Sequence, residues 1–530
     1  VKNRKILFIV EQNVLDGTSY LGTSNDLLLI IESLKIGWEI YLTTPKNISK
    51  ETNIDNFLAL KLSENLDQKE IAVEIKNAWS KQVINCLLAA PTRAEANEER
   101  RSKILFADAK MQFVNLHETL IFNRAEPISL TNKFYDILIG WQQSGIKISP
   151  NPHLNKILGD KLAIDAIHNN RQIAGIDLLE GVKFQDGENK ISFESKIIAI
   201  SKDNLSSQEI AKFYDLLNEQ NFQKAQEIFA DEYQIFMHGV EEYLAFHQKL
   251  NNDSIIKPTS YFGGTGVVVV KNKTLNLNQA VENIVQSFLA IKQDCQNNNH
   301  ENLAFLPVII VQKRATEAHL GDLRIMFCGQ DLQGIFVRFN TNFEKSKVNN
   351  LHFGGHPESL FKNYPISIDG VKMMIDDMKN CSDEDIKKTL ALCGLLKTLD
   401  FLKQIKILKQ YAIIGVDALL TLDKNGDYQY RINEINLTSP MGQVQLLLLH
   451  LAVKFSDLAL DILRKNNFKI HLEKYQILAD YFRDQDSVMA LQAKNILLED
   501  QSLQILIAQE TEKLLANNFA TQTIKYFINQ

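Results

Sequence analysis

The chain has 530 residues, 45% of them hydrophobic and 23% charged, the composition of a globular protein with room for roughly two to four domains. Its formal net charge of −6 leaves no basic footprint for nucleic acid. No apolar run reaches the roughly 18 residues that a membrane-spanning helix needs.

The first strand is read at Lys5–Val10. The apolar run inside it, Ile6 to Val10, is too short for a signal peptide. A helix ending near Gly37 and a second strand complete a β-α-β opening, the start of an open α/β layer. The intervening loop, Glu11 to Asn25, has no G-x-G-x-x-G spacing. Residues 50–110 are less legible, with helical spacing over Lys69–Leu88 and a solvated charged face at Arg93–Lys103. Further strands follow at Thr119–Asn123 and Ile146–Pro150, and a helix at His153–Ala166 carries Lys161.

From about 166 to 230 the chain reads as an inserted unit. A hairpin over Val182–Ile200 turns at Asp186-Gly187, and Ser206 to Glu209 is a capping box for a helix. More helix is expected at Phe222–Tyr233 and Val240–Leu250. Strands at Ser254–Lys257 and Val267–Lys271 flank Gly263-Gly264-Thr265-Gly266. Three glycines let backbone N–H groups approach a phosphate closely, although a glycine-rich hairpin turn is the commoner explanation. Lys257 ends the first of these strands. Beyond a strand at Phe305–Gln312, an antiparallel meander over Leu320–Cys328 and Leu332–Phe339 carries Arg324 and Arg338. An arginine on an apolar strand pairs with a carboxylate or with a phosphate, and both readings stand. Asn349–Gly355 is a glycine-ended loop suited to covering a ligand, and Cys381–Tyr411 is helical.

The last legible unit is a hairpin from Ala412 to Gly442 around Asp423-Lys424-Asn425-Gly426-Asp427. A two-residue type I′ turn at Asn425-Gly426 makes Lys424 face Asp427 and, counting outward, sets Asp417 opposite Glu434. Asn436 projects from the same face as Glu434. Two carboxylates about 5 Å apart at an effective dielectric near 20 repel by about 3 kcal/mol, so something must sit between them if the sheet is buried. The flanking Ile413, Ile414, Val416, Leu419, Leu420 and Ile432 argue for burial. A divalent cation reverses the sign, and these oxygen donors suit Mg²⁺ or Mn²⁺ with phosphate completing the shell. A solvated hairpin with scattered acids is the plain alternative. The five cysteines, Cys86, Cys295, Cys328, Cys381 and Cys393, form no C-x-x-C and fit a reduced cytoplasmic protein. His352 and His356 are separated by Gly354 and Gly355, which disfavours the helix a chelating pair needs.

Taken together, these segments resemble the bacterial glutathione synthetases, which are ATP-grasp ligases. The match covers roughly residues 3–165 and 231–465. It is carried by KILFIVEQ, NPHLNKILGDKLAID, IIKPTSYFGGTGVVVV, VQKRATEAHLGDLRIMF, VRF, NLHFGG, VDALL and EINLTSP, in that order. The resemblance implies α+β subdomains holding ATP, with phosphorylation of a carboxylate followed by attack of an amine. It assigns Lys161, Lys257, Gly263, Gly264, Gln312 and Asp322 to ATP. Arg324 and Arg338 would act in catalysis, and Asn350, Gly354 and Gly355 would bind substrate. Asp417, Glu434 and Asn436 would hold Mg²⁺ (or Mn²⁺). It also implies an N-terminal α/β domain over 1–150 and an ATP-grasp domain over 151–465; the insertion at about 166–230 and the tail over 466–530, read as a helical extension from its apolar spacing, have no counterpart in those enzymes.

Small-molecule acid and amine substrates are the expected partners, with neither nucleic acid nor membrane, and a homo-oligomer is compatible with this reading. The implied substrates are γ-glutamylcysteine and glycine. Val348 stands where those synthetases carry an arginine, which keeps a ligase for another pair, such as a glutamate-adding enzyme, in view. A silent ATP-binding interaction protein is the non-enzymatic alternative.

Overall fold

The computed structural model describes residues 4–15, 29–30, 32–63, 106, 108–125, 132–156, 161, 172–173, 176–177, 193–202, 206–250, 253–259, 264–271, 274–297, 308–315, 317–318, 321–328, 331–339, 356–358, 391, 411–423, 425–436, 495, 523–524 and 527. Several sequence readings fall outside them: Lys69–Leu88, Arg93–Lys103, the turn at Asp186-Gly187, Gly263, the loop Asn349–Gly355, and nearly all of Cys381–Tyr411 and of the tail.

The chain forms an α/β fold with separate sheets. The N-terminal sheet contains β1 (Lys5–Ile9), β2 (Glu39–Thr43), β3 (Phe57–Lys61), β4 (Lys110–Val114), β5 (Thr119–Asn123) and β6 (Ile148–Ser149), in the order β4-β3-β2-β1-β5-β6. β2, β1, β5 and β6 run parallel, while β3 and β4 extend the edge antiparallel. A short helix, α1 (Gln12–Leu15), follows β1, and residues 29–30 and 32–35 are helical as expected. Helix α2 (Asn132–Gln143) lays Phe134, Leu138 and Trp141 on the sheet face formed by Leu7, Ile9, Tyr41 and Ile121. On the other face Phe8 meets Phe122, and Phe122 meets Phe527 edge to face at 4.8 Å. The helical residue Phe527 therefore packs on this sheet, and both it and Ile524 are buried.

After a two-stranded ribbon of β7 (Gln172–Ile173) and β8 (Ile176–Asp177), four strands form a second sheet. These are β9 (Ser195–Ala199), β10 (Ser254–Pro258), β11 (Val268–Val270) and β12 (Val308–Lys313), ordered β11-β10-β12-β9, with every pairing antiparallel. One face carries Ile198, Ile256, Ile309 and Val311 into a core with α3 (Ser207–Asn218), α4 (Phe222–Ile228), α5 (Ala230–Leu250) and α6 (Leu277–Asn297). Tyr214 of α3 stacks on Phe288 of α6 with centroids 4.0 Å apart. The capping box is present: Ser206 accepts from Glu209 N while the Glu209 side chain accepts from Ser206 N. The helix expected at Phe222–Tyr233 instead breaks at Phe229, and α5 starts at Ala230 with Asp231 and Glu232 in its first turn, where acids favour helix initiation. Within the span 166–230, β9 is an integral strand of this sheet, and Phe213 and Tyr214 of α3 lie in its core.

The third sheet, β15-β14-β13-β16-β17, is formed by β13 (Asp322–Cys328), β14 (Asp331–Phe339), β15 (His356–Glu358), β16 (Ile413–Leu422) and β17 (Tyr428–Asn436). It contains the expected meander and hairpin. No helix among the described residues is long and apolar enough to cross a membrane.

Helix α5 crosses β9 at Gly239, where an added Cβ would lie 2.3 Å from the Ala199 carbonyl oxygen. Backbone cannot yield there as a flexible side chain could, so Gly239→Ala is expected to cost about 1–3 kcal/mol, read as a lowered midpoint of thermal unfolding.

Candidate functional site

Register alone brings five charged side chains to one face of the third sheet. Arg338 on β14 pairs with Asp322 on β13, Arg324 of β13 pairs with Asp417 on β16, and Asp417 pairs with Glu434 on β17. Asp322 and Arg324 are two residues apart on one strand and so share a face. Arg338 donates to Asp322 from Nε at 2.7 Å and from Nη2 at 2.8 Å, and its Nη2 also lies 3.0 Å from Asp417 Oδ2. Arg324 Nη2 donates to Asp417 Oδ2 at 3.0 Å, while its Nε lies 2.5 Å from Oδ1, off the line a hydrogen bond needs. All four of these side chains are buried. Burial works against the Arg338 charge, but Asp322 and Asp417 outweigh it and hold the guanidinium above its usual range. Burial likewise opposes the Asp417 charge, yet Arg324 and Arg338 win and hold the carboxyl below its usual value. The charge expected to offset the facing acids is therefore already present as guanidinium. A cation is not needed to make this hairpin stable.

The turn differs from the expected type I′. Asp423 N donates to Asp427 O, Gly426 N donates to Asp423 O, and Asp423 Oδ1 accepts from Asn425 N and Asp427 N. Asp423, not Lys424, faces Asp427, giving a three-residue loop with Gly426 at φ +83°. Left alone, this one-residue offset would separate the two acids. A β-bulge corrects it: Ala418 pairs with Ile432 and Asp417 with Glu434, leaving Asn433 as the extra residue.

The bulged residue reaches the second sheet. Lys257, near the end of β10, donates to Asn433 Oδ1 and to Gln312 Oε1 on β12. Lys257 lies on the sheet face opposite its helix-packed side, since its neighbour Ile256 points into the helical core. Burial pulls the Lys257 ammonium down to about 8; Glu434 and Asp417 act against this, and nearby Lys161 adds to it. The structure thus gathers Lys161, Lys257, Gln312, Asp322, Arg324, Arg338, Asp417, Glu434 and Asn436. Asn433 escaped the sequence reading, and the only signal for it is the odd residue count between a three-residue turn and the facing acids.

In the glycine stretch, Gly264 and Gly266 have φ of +85° and +76°, and Val267 N closes a turn on Gly264 O. Gly266 is docked on α6: Ser287 Oγ donates to its carbonyl at 2.5 Å, and a Cβ would meet Ile291 and the Ser287 carbonyl at 3.0 Å. Gly263, Asn350, Gly354 and Gly355 lie outside the described residues.

The donor chemistry is of the kind a divalent cation takes: Glu434 faces Asp417, whose two oxygens lie against Arg324 and Arg338, and the Asn436 amide lies 3.4 Å from Asp417 Oδ2. An amide presents its oxygen after a flip, which gives three hard oxygen donors. Among the described residues no cluster of three or more His, Cys, Asp or Glu is placed to hold a metal, so the set is two carboxylates and an amide.

No protein-family model matches the chain, and no curated protein matches it. Several solved ligases are weakly similar. The D-cycloserine synthetase DcsG is 10% identical over 84% of this chain and 98% of its own, at a TM-score of 0.35. A RimK domain ATP-grasp protein from Sphaerobacter thermophilus is 11% identical over 83% and 94%, also at 0.35. The D-alanine–D-alanine ligase from Bacillus anthracis is 13% identical over 93% and 98%, at 0.34. Likeness this weak carries no argument, and the sheets and the site stand on their own geometry.

A lysine whose folded pKa is depressed costs stability while protonated in both states, and that cost is relieved as pH rises from the folded value towards the unfolded one. From about pH 8 to 10.5, Lys257 should therefore add up to about 1.4 kcal/mol per pH unit to wild-type stability. Lys257→Met should lack that increment, checked by urea unfolding of both proteins across this range.

Proposed function

We propose that this chain is an ATP- and Mg²⁺-dependent carboxylate–amine ligase of the ATP-grasp type, most like glutathione synthetase, joining γ-glutamylcysteine to glycine. The reading is supported by one observation above the others. Two sheets present complementary chemistry to each other: Lys257 and Gln312 from β10 and β12, and the row Arg338, Asp322, Arg324, Asp417 and Glu434 from β14, β13, β16 and β17. A triphosphate needs cations on one side and a metal-holding acidic pair on the other.

In this mechanism Lys161 and Lys257 hold the α and β phosphates. The turn at Gly264–Gly266 offers backbone N–H groups from a position anchored on α6. Asp417, Glu434 and Asn436 would hold Mg²⁺, which neutralises phosphate oxygens when bound. The substrate carboxylate oxygen attacks the γ-phosphorus and ADP leaves. The amine nitrogen then attacks the acyl carbon, and inorganic phosphate departs with the carbonyl restored. Arg324 and Arg338 stabilise the negative charge on the transferred phosphoryl group and on the tetrahedral intermediate. No side-chain nucleophile is required, since positioning and electrostatics carry this chemistry. Asp322 acts on Arg338, which it grips through both oxygens. The domains follow the division at about 150 and 465, with the extension beyond 465 outside the catalytic unit.

Val348 favours a second reading. The absence of an arginine there points to a different acid, as in a glutamate-adding ligase. Phosphate release from Mg·ATP should require both γ-glutamylcysteine and glycine and yield the tripeptide by mass. Release with other acid and amine pairs alone selects the second reading, and no release with any pair removes the ligase. Glu434→Gln should lower turnover by about a hundredfold or more without a change in unfolding midpoint, measured by phosphate release and thermal melts.

A further inference from the structure

Lys257 links the glycine-bearing sheet to the acidic sheet, and both of its acceptors among the described residues are neutral amide oxygens. An ammonium has three N–H donors. Gln312 and Asn433 take two of them, and among the described residues nothing accepts the third. Two fixed acceptors determine where the third N–H points. Gln312 comes from the strand beside Lys257, so it constrains the lysine within its own sheet. Asn433 comes from the opposite sheet, and only because the bulge leaves it unpaired in the ladder. In a ladder without the bulge, Asn433 would itself stand opposite Asp417, and Glu434 would lose that place. One insertion thus serves two ends: it realigns the acidic pair and delivers an acceptor to the lysine.

We infer that Asn433 is a positioning residue for nucleotide binding: its amide oxygen, carried on the β17 bulge, aims the remaining N–H of Lys257 at a phosphate of the bound nucleoside triphosphate. The inference rests on the ligase reading and adds a residue to it. A carboxylate in place of this amide would neutralise the lysine, whereas the amide orients the charge and leaves it available to phosphate. Asn433 thereby sets the distance between the sheets at the point where the triphosphate lies.

The test is a double-mutant cycle read by calorimetric titration of Mg·ATP into wild type, Asn433→Ala, Lys257→Met and the double variant, with the unfolding midpoint of each. Asn433→Ala should weaken nucleotide binding about tenfold, the scale of one hydrogen bond to a charged group. In the Lys257→Met background the same substitution should leave the dissociation constant unchanged, because the group it acts through is gone. Equal weakening in both backgrounds, tracking a lowered midpoint, would mean that the bulge merely holds the fold, and the inference is overturned. Should Asn433→Ala leave the affinity of an otherwise intact lysine site untouched, it is overturned equally. If wild type binds no Mg·ATP at all, the ligase reading fails and takes this inference with it, an outcome distinct from additive losses in a protein that does bind.

Discussion

The structure depends on the burial of one carboxylate. Asp417 is buried on β16 of a five-stranded sheet, and it stays charged because Arg324 of β13 and Arg338 of β14 lie against it. Removing an ion of this kind from water costs several kcal/mol, and replacing the set with apolar side chains would stabilise the sheet at least as well. What the charges give in return is order. Arginine meets aspartate only when β14, β13 and β16 hold one register, since a one-residue slip sends every member of the row to the opposite face. Breaking one partner away would leave a buried charge uncompensated, at about 3–5 kcal/mol. The row is therefore a register lock as well as a set of groups suited to phosphate chemistry.

The hairpin illustrates how local and non-local information combine. Asn425-Gly426 is a strong signal for a two-residue turn, yet Asp423 uses its carboxylate to bind two backbone N–H groups and converts the loop to three residues. The bulge at Asn433 then restores what the longer loop displaced. The pairing of Asp417 with Glu434 was legible in the sequence through two departures that cancel. Nothing local announces such a bulge, because the extra residue is defined only by how β17 pairs with β16. The pairing of Arg324 and Arg338 with carboxylates was open in the same way. Strand spacing shows that an arginine faces the row, but only the adjacency of β13 and β16, far apart in sequence, names its partner.

Elsewhere, legibility followed the strength of hydrophobic patterning. The parallel strands β1, β2 and β5 are short, apolar and bounded by polar residues, and they stand where their composition places them. β4 does not alternate in burial, with Lys110, Met111, Gln112 and Phe113 all exposed on an edge strand, so its sequence carries no face to read. Helix α2 did carry a pattern, with Phe134, Leu138 and Trp141 on one side and Gly145 at positive φ just past its end. The place of β9 was hidden for a different reason: it pairs with β12, more than a hundred residues later, and such crossovers leave no local trace.

The contact between Phe122 and Phe527 reaches further than its 4.8 Å suggests. Phe122 belongs to a strand in the first quarter of the chain, and the ring that covers it is synthesised after all three sheets. Phe527 is thus tied to the N-terminal sheet by a contact of very high sequence separation. Such a contact must meet a loop-closure cost before it stabilises anything, so it is expected to form after the pairing of β1 with β2 and β5, and a chain cut short before Phe527 would lose that ring from Phe122.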